Sequence, residues 1–220
     1  MFARVTWTQA AAGQQLEVDK LEAFFRERVI PSMQTLPGFL GGAALVNREK
    51  GEAASVTYWE SAEAMAGSEG MGAAGRAEAV QTLGMAITDV DRFEMLLQER
   101  AAPVQVGTFV RSNDVPASPG RIDATLAWMR DSVTPRVKSV SGFRALLVFG
   151  NRLTGRLLIS SVWDTAEDRQ ASESVIGGLR SQLADVAQAQ ADIRIALYEG
   201  VVAEVSQAAQ QATAVATSAR

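Results

Sequence analysis

The same residue pattern is written twice in this chain, 104 positions apart. Between Val29–Glu69 and Val133–Glu173, 12 of 41 positions are identical without a gap. Chance at ordinary residue frequencies gives roughly two or three. The matched set includes Pro31/Pro135, Gly38/Gly142, Phe39/Phe143, Asn47/Asn151, Gly51/Gly155, Trp59/Trp163, Glu63/Glu167, Ser68/Ser172 and Glu69/Glu173. A period of about 100 residues is too long for a solenoid unit and suits a whole small domain. The chain therefore reads as two related domains, 1–101 and 102–203, with an Ala/Gln-rich tail at 204–220 that is a short helix or disordered.

Each copy predicts the order β-α-β-β-α-β, a ferredoxin-like arrangement. In the first, alternation predicts a strand at Ala3–Gln9, and Leu16, Leu21, Phe24, Phe25, Val29 and Met33 have the spacing of an amphipathic helix. Pro31 is expected to kink or end that helix at its last turn. A hairpin follows, Phe39–Arg48 and Ala53–Trp59, turning through Asn47 to Gly51. Ser61 is a plausible N-cap for the next helix. Gly67, Gly70, Gly72 and Gly75 are expected to break that helix into a loop or frayed turn before it resumes at Arg76–Met85. A strand at Thr88–Leu97 closes the copy. The second copy predicts a strand at Val104–Asn113, a helix at Arg121–Val140, a hairpin of Phe143–Arg152 and Leu157–Trp163, a helix at Ala166–Ala189 and a strand at Asp192–Val202. Helices cover one face of each antiparallel sheet, and the other face needs burial. Two such sheets in one chain predict an α+β fold of tandem ferredoxin-like repeats closing an intramolecular, eight-stranded α+β barrel.

Composition narrows the chemistry. The chain has no cysteine and no histidine. That removes disulfides, thiol nucleophiles, Fe–S clusters, Ser-His-Asp catalysis, and the usual haem, zinc and non-haem iron ligands. No metal and no cofactor are expected. Charge is −5 over residues 1–101 and +1 over 102–220, with no basic stripe, so no nucleic-acid partner is expected. The chain shows no bilayer-length apolar run and no basic-then-apolar leader, so a cytoplasmic location without membrane contact is the expectation.

Pro37-Gly38-Phe39, Asn47, Gly51 and Tyr58-Trp59-Glu60-Ser61-Ala62-Glu63 resemble the antibiotic biosynthesis monooxygenase (ABM) group of the dimeric α+β barrel superfamily. Gly142-Phe143, Asn151, Gly155 and Trp163-Asp164-Thr165-Ala166-Glu167 give a looser version of the same pattern. The resemblance reaches about Val202 and is more specific for fold than for activity. It implies a small hydrophobic or aromatic molecule bound in the barrel, with cofactor-independent monooxygenase chemistry as one outcome. The alternative is a non-catalytic ligand-binding or stress-responsive barrel protein. A homodimer of the fused barrel is compatible with either reading. Haem degradation of the kind that needs a histidine ligand is not open to this chain.

Residues shared by both copies read mainly as architecture. Trp59 and Trp163 are core wedges, Asn47 and Asn151 serve turns, and Glu63, Glu167, Glu69 and Glu173 are helix-start and surface charges. Residues that differ between copies are the candidates for a pocket: Trp7, Tyr58, Arg111, Asn113 and Trp128. The gapless offset pairs Trp7 with Arg111, an aromatic with a cation on matching strands. Such a pair, with Tyr58, could hold an anionic or phenolic ligand. A cofactor-free oxygenase needs a dry cavity and a polar group to favour the substrate anion, and Arg111 or Tyr58 are the candidates for that catalytic role.

Overall fold

The computed structural model describes residues 1–205; the tail beyond, whose structure the sequence left open, lies outside the described residues. The chain is a mixed α+β protein. Its strands are β1 (Phe2–Ala10), β2 (Phe39–Asn47), β3 (Glu52–Trp59), β4 (Met85–Arg100), β5 (Phe109–Pro116), β6 (Phe143–Gly150), β7 (Arg156–Trp163) and β8 (Arg194–Val205). Their hydrogen-bonding order is β1-β3-β2-β8-β5-β7-β6-β4, and the ladder closes on itself. The helices are α1 (Val18–Phe24), α2 (Ile30–Gln34), α3 (Ala62–Gly67), α4 (Glu69–Leu83), α5 (Ile122–Trp128), α6 (Thr134–Lys138), α7 (Ala166–Ala171) and α8 (Glu173–Ala187). Every helix of the first four recurs 104 residues later with the same length.

Contacts group the chain into two compact units, Met1–Arg92 with the chain from Gly200, and Phe93–Glu199. In the first, β1 pairs β3 with Arg4 opposite Thr57, and β3 pairs β2 with a bulge between Phe39 and Gly41. Phe25, Ile30, Met33, Phe39, Val46 and Trp59 form its core with Val201 and Val202. In the second, β5 pairs β7 with Arg111 opposite Ser161, and β6 carries a bulge at the corresponding place, between Phe143 and Ala145. Its core gathers Ile122, Leu126, Met129, Leu146, Trp163, Leu179 and Leu183.

Local chemistry explains the shared details. Ser61 and Thr165 cap α3 and α7, their hydroxyls accepting from the Ala64 and Asp168 amides at 3.1 and 3.0 Å. Asn47 accepts from the Lys50 amide, and Asn151 from Leu153 and Thr154, closing the two hairpins. Trp59 and Trp163 are fully buried, each edge-on to the phenylalanine that opens the neighbouring strand, and each indole N–H is satisfied by a hydroxyl one pleat away.

Three expectations need correction, and that for Pro31 takes a specific form: the regular helix is interrupted ahead of it but does not end there. The chain widens into a π turn over Phe25–Val29, where the Ile30 amide donates to the Phe25 carbonyl, and continues as α2. Met129–Val133 does the same ahead of Pro135. Proline lacks an N–H and its ring crowds the carbonyl four residues back; the wider turn relieves both. The glycines at 70, 72 and 75 do not form a loop: they lie inside the fifteen-residue helix α4, and Gly67 ends α3. Helix propensity is a weak term that tertiary anchoring overrides. The second copy's first strand begins at Phe109, not Val104, and β4 extends to Met85 and Arg100.

Candidate functional site

The pairing registers correct the proposed match of Trp7 with Arg111. Arg4 faces Thr57 and Arg111 faces Ser161, so the first strands correspond at an offset of 107, not 104. The chain from Arg111 to the start of α5 is three residues shorter than that from Arg4 to the start of α1, which slips the register by an odd number and moves side chains to the other face. The true counterpart of Arg111 is Arg4.

These arginines make the same clasp. Arg4 donates from Nη1 to Ser68 Oγ at 3.0 Å and from Nη2 to the Met65 carbonyl at 2.6 Å, and pairs with Glu69 at 2.9 Å. Arg111 donates to Ser172 Oγ at 2.6 Å and to the Arg169 carbonyl at 2.8 Å, and pairs with Glu173 at 3.1 Å. Each clasp grips the joint between two helices, where terminal carbonyls lack intrahelical partners. This accounts for the repeated Ser-Glu pairs. Glu69 and Glu173 are thus counterions of buried arginines, not simple surface charges. Burial lowers the pKa of both arginines, opposed chiefly by Glu69 and Glu173 respectively.

The two units differ in what lies beside the clasp. In the first, a cavity of about 470 Å³ opens between α4, the α1–α2 segment and the sheet. In the second, the corresponding space is about 40 Å³. The helix sequences give the reason. The inward face of α8 carries Ile176, Leu179 and Leu183; 104 residues earlier α4 has Gly72, Gly75 and Ala79. Each exchange removes three or four side-chain carbons, and nothing among the described residues fills the volume. On the sheet, Ser55 stands where the second unit has Ile159. Gly72 is a close fit of another kind, since a Cβ there would lie 2.8 Å from Arg4 Nη1.

The cavity is mostly apolar, with Leu21, Phe24, Phe25 and Met33 along the helix side. Arg4, Thr6, Thr8, Ser55 and Thr57 supply polar atoms on the sheet side. Met71, Val80 and Ile87, which also line it, are among the exposed large apolar residues of the described chain. Arg4 is 3% exposed, and among the described residues its Nε has no hydrogen-bond partner although it is shielded from solvent. Such a buried, unpaired donor is costly unless something else accepts from it.

The sequence candidates do not converge on this cavity. Trp7 lies on β1 between Thr6 and Thr8, on the opposite face from the lining, and Tyr58 likewise alternates with Thr57 on β3. Arg111 belongs to the structural clasp of the second unit. Asn113 and Trp128 line the small second-unit space, where Asn113 donates to the Ile159 carbonyl at 3.3 Å. The residues missed were Arg4 and the glycines of α4. Among the described residues, no three acidic side chains cluster as a metal site, and no helix is long and apolar enough to cross a membrane.

No family model matches the chain. Two uncharacterized proteins of Mycobacterium tuberculosis are similar in sequence. One is 29% identical over 184 residues, 83% of this chain and 76% of the relative. The other is 25% identical over 181 residues, 82% and 79%. Among solved structures, an anthrone oxidase-like protein superposes with a TM-score of 0.68 at 13% identity, covering 94% of this chain and 93% of that one. A candidate monooxygenase from Fusobacterium nucleatum gives 0.65 at 13% identity, covering 93% and 94%. A ferredoxin-fold protein of Listeria monocytogenes, related to antibiotic biosynthesis monooxygenases, gives 0.50 at 12% identity, covering 90% and 94%. At these identities the structural likeness establishes the fold and not the activity.

Proposed function

We propose that the chain is a tandem ABM-like protein, two ferredoxin-like repeats fused into one α+β barrel, and that its first repeat binds one small hydrophobic or aromatic molecule. The observation that carries this reading is the asymmetry between two otherwise matched units: about 470 Å³ beside α4 against about 40 Å³ beside α8. A duplication that fills one copy with leucine and keeps glycine in the other is economically explained by a ligand in the open copy. The volume falls within the range of about 300–1,000 Å³ typical of small-molecule sites, and the lining is apolar with a few polar atoms, as such sites are.

Cofactor-independent oxygenation is the catalytic form of this proposal. The structural likeness to an anthrone oxidase-like protein favours it, and the sheet wall with Thr6, Ser55 and Thr57 offers hydrogen bonds to a reacting oxygen. Arg111 and Tyr58 have no part in it, because neither lines the cavity. Non-catalytic binding uses the same site.

The test is titration with 1-anilinonaphthalene-8-sulfonate, an anionic fluorescent probe with an apolar aromatic body, on the native chain and on Gly75→Leu/Ala79→Leu. The native chain should show saturable enhancement and the variant little. Equal enhancement in both, with the variant folded, would refute the site. Native mass spectrometry of freshly purified protein then identifies any resident molecule.

A further inference from the structure

We infer that the molecule held in the first-unit cavity carries a hydroxyl or carbonyl oxygen on its apolar body, and that Thr6 and Ser55 are the pair that selects it. This rests on the proposed binding role of that cavity and names the group its floor recognises. Thr6 and Ser55 stand directly opposite each other on β1 and β3, and both line the cavity. Opposed side chains of an antiparallel pair have Cβ atoms about 4.5–5.5 Å apart, so two hydroxyls can converge on one oxygen. A carbonyl oxygen accepts from both, whereas a ligand hydroxyl accepts from one and donates to the other.

The other polar groups of the floor are already engaged. Arg4 is committed to Ser68, Met65 and Glu69. Thr57 accepts from the Trp59 indole at 3.1 Å, as Ser161 does from Trp163 at 3.0 Å, so that hydroxyl belongs to the architecture common to both units. Thr8 reaches the Ala53 carbonyl at 3.4 Å. Among the described residues, the Thr6 and Ser55 hydroxyls make no hydrogen bond, and neither is sealed from solvent, although Thr6 is only 6% exposed. The cavity is open, so water can serve both hydroxyls before a ligand enters. A purely apolar ligand would displace that water and leave them bare, whereas a ligand oxygen takes its place.

The second unit shows that this polarity is not a by-product of making space. At the positions of Thr8 and Ser55 it has Val115 and Ile159, both within its hydrophobic core. Threonine and valine have nearly the same shape, so the exchange of Thr8 for Val115 alters polarity without altering volume. Ser55 in place of Ile159 changes both, and alanine would have sufficed for volume alone. Where Thr6 stands, the second unit has Asn113, whose amide donates to the Ile159 carbonyl at 3.3 Å. At this crossing the closed unit presents an isoleucine and an engaged amide, and the open unit presents two opposed hydroxyls.

The experiment uses rigid ligands matched in shape, adamantanol with methyladamantane and adamantanone with methyleneadamantane, displacing 1-anilinonaphthalene-8-sulfonate from the native chain. An apolar pocket favours the hydrocarbon of each pair, because the oxygen loses its hydrogen bonds to water on entry. The native chain should instead bind the oxygen-bearing member of at least one pair as tightly as its hydrocarbon match, or more tightly. Tighter binding of the hydrocarbon in both pairs overturns the assignment while leaving an apolar site intact. In Thr6→Val/Ser55→Ala, affinity for the oxygen-bearing ligand should fall at least about fivefold, as an oxygen left without partners requires, while the hydrocarbon binds as well or better. Equal changes for both members of a pair would assign the two hydroxyls to the fold alone and overturn their selecting role. Failure of all four ligands to displace the probe overturns the assignment and, if Gly75→Leu/Ala79→Leu also leaves the probe unaffected, the binding site itself. The native series decides the matter even if the threonine–serine variant does not fold.

Discussion

Filling the first-unit cavity should stabilise the protein while abolishing its binding. Gly75 sits inside α4, and a Cβ built there meets nothing within 4 Å, so Gly75→Leu introduces no clash at its first atom. Removing a mid-helix glycine contributes about 0.7 kcal/mol. Burying leucine adds about 1.5–3 kcal/mol when complete, and Leu179 and Leu183, the counterparts in α8, are 4% and 7% exposed. The first-unit cavity is open to solvent, so the lower end applies, and each leucine loses about 0.5–1 kcal/mol of rotamer freedom. Adding Ala79→Leu, the double variant should gain about 2 kcal/mol net. For a chain of this size that raises Tm by roughly 4–8 °C. The assay is differential scanning calorimetry in parallel with probe titration. A Tm equal to or below that of the native chain would refute the argument, because it would mean that α4 already packs against the sheet and leaves no space to fill. A raised Tm with undiminished probe binding would move the site elsewhere.

Two further outcomes follow from the local geometry. Gly51 and Gly155 are aligned hairpin glycines with left-handed φ values of +65° and +81°, yet a Cβ at Gly155 would lie 2.0 Å from the Ala117 carbonyl oxygen, whereas one at Gly51 would lie 3.3 Å from the Ala10 side chain. Gly51→Ala should cost about 1 kcal/mol and Gly155→Ala at least about 3 kcal/mol in urea unfolding, and equal costs would contradict the register of the second hairpin. For Glu69, burial pushes the carboxyl pKa up, but hydrogen bonds from Arg76 and Arg92 and the charge of Arg4 outweigh it and hold the pKa below the ordinary value. A group whose folded pKa is depressed stabilises above its unfolded pKa and loses that contribution as pH falls through the folded one. Native stability should decline below about pH 4, near the ordinary glutamate value, and Glu69→Gln should flatten that acid limb; an unchanged limb would remove the cluster from the stability of the first unit.

What the sequence disclosed was what short-range chemistry decides. Asn47 to Gly51 names its hairpin because the turn is closed by its own side chain, and Ser61 names a helix start because its hydroxyl reaches an amide three residues on. The first strand's register was not legible in this way. The three-residue difference between the spans from Arg4 and from Arg111 to the following helix falls outside the identical stretch, so a gapless offset carried past Val29 paired the wrong faces and hid the equivalence of Arg4 and Arg111. The glycines of α4 misled through propensity: locally they argue for a loop, whereas tertiary contacts, among them the Arg4–Glu69–Arg76 anchoring and the packing at Leu83 and Met85, support the helix. The cavity itself was nevertheless present in the letters. Setting Gly72, Gly75 and Ala79 against Ile176, Leu179 and Leu183 shows it, but as missing atoms, and an absence of side chain carries no periodicity to read.

That comparison also runs in reverse, and the reverse direction separates packing from binding. If α8 is the filled form of the same design, Leu183→Ala should open a void between α8 and the second-unit core, where Leu183 packs with Ile122, Leu126 and Met129. The expected loss is about 2–5 kcal/mol, since a rigid core relaxes only partly around a deleted side chain. Made in the Gly75→Leu/Ala79→Leu background, where the first cavity is closed, the new void is a place for a small apolar guest that the double variant lacks. Saturating benzene should then recover part of the lost Tm in the triple variant and none in the double, because an apolar void of this kind stays dry and accepts such a guest. A loss under about 1 kcal/mol would mean that the inward face of α8 is not packed as drawn. The contrast with α4, and with it the case for a ligand in the first unit, would then lose its basis.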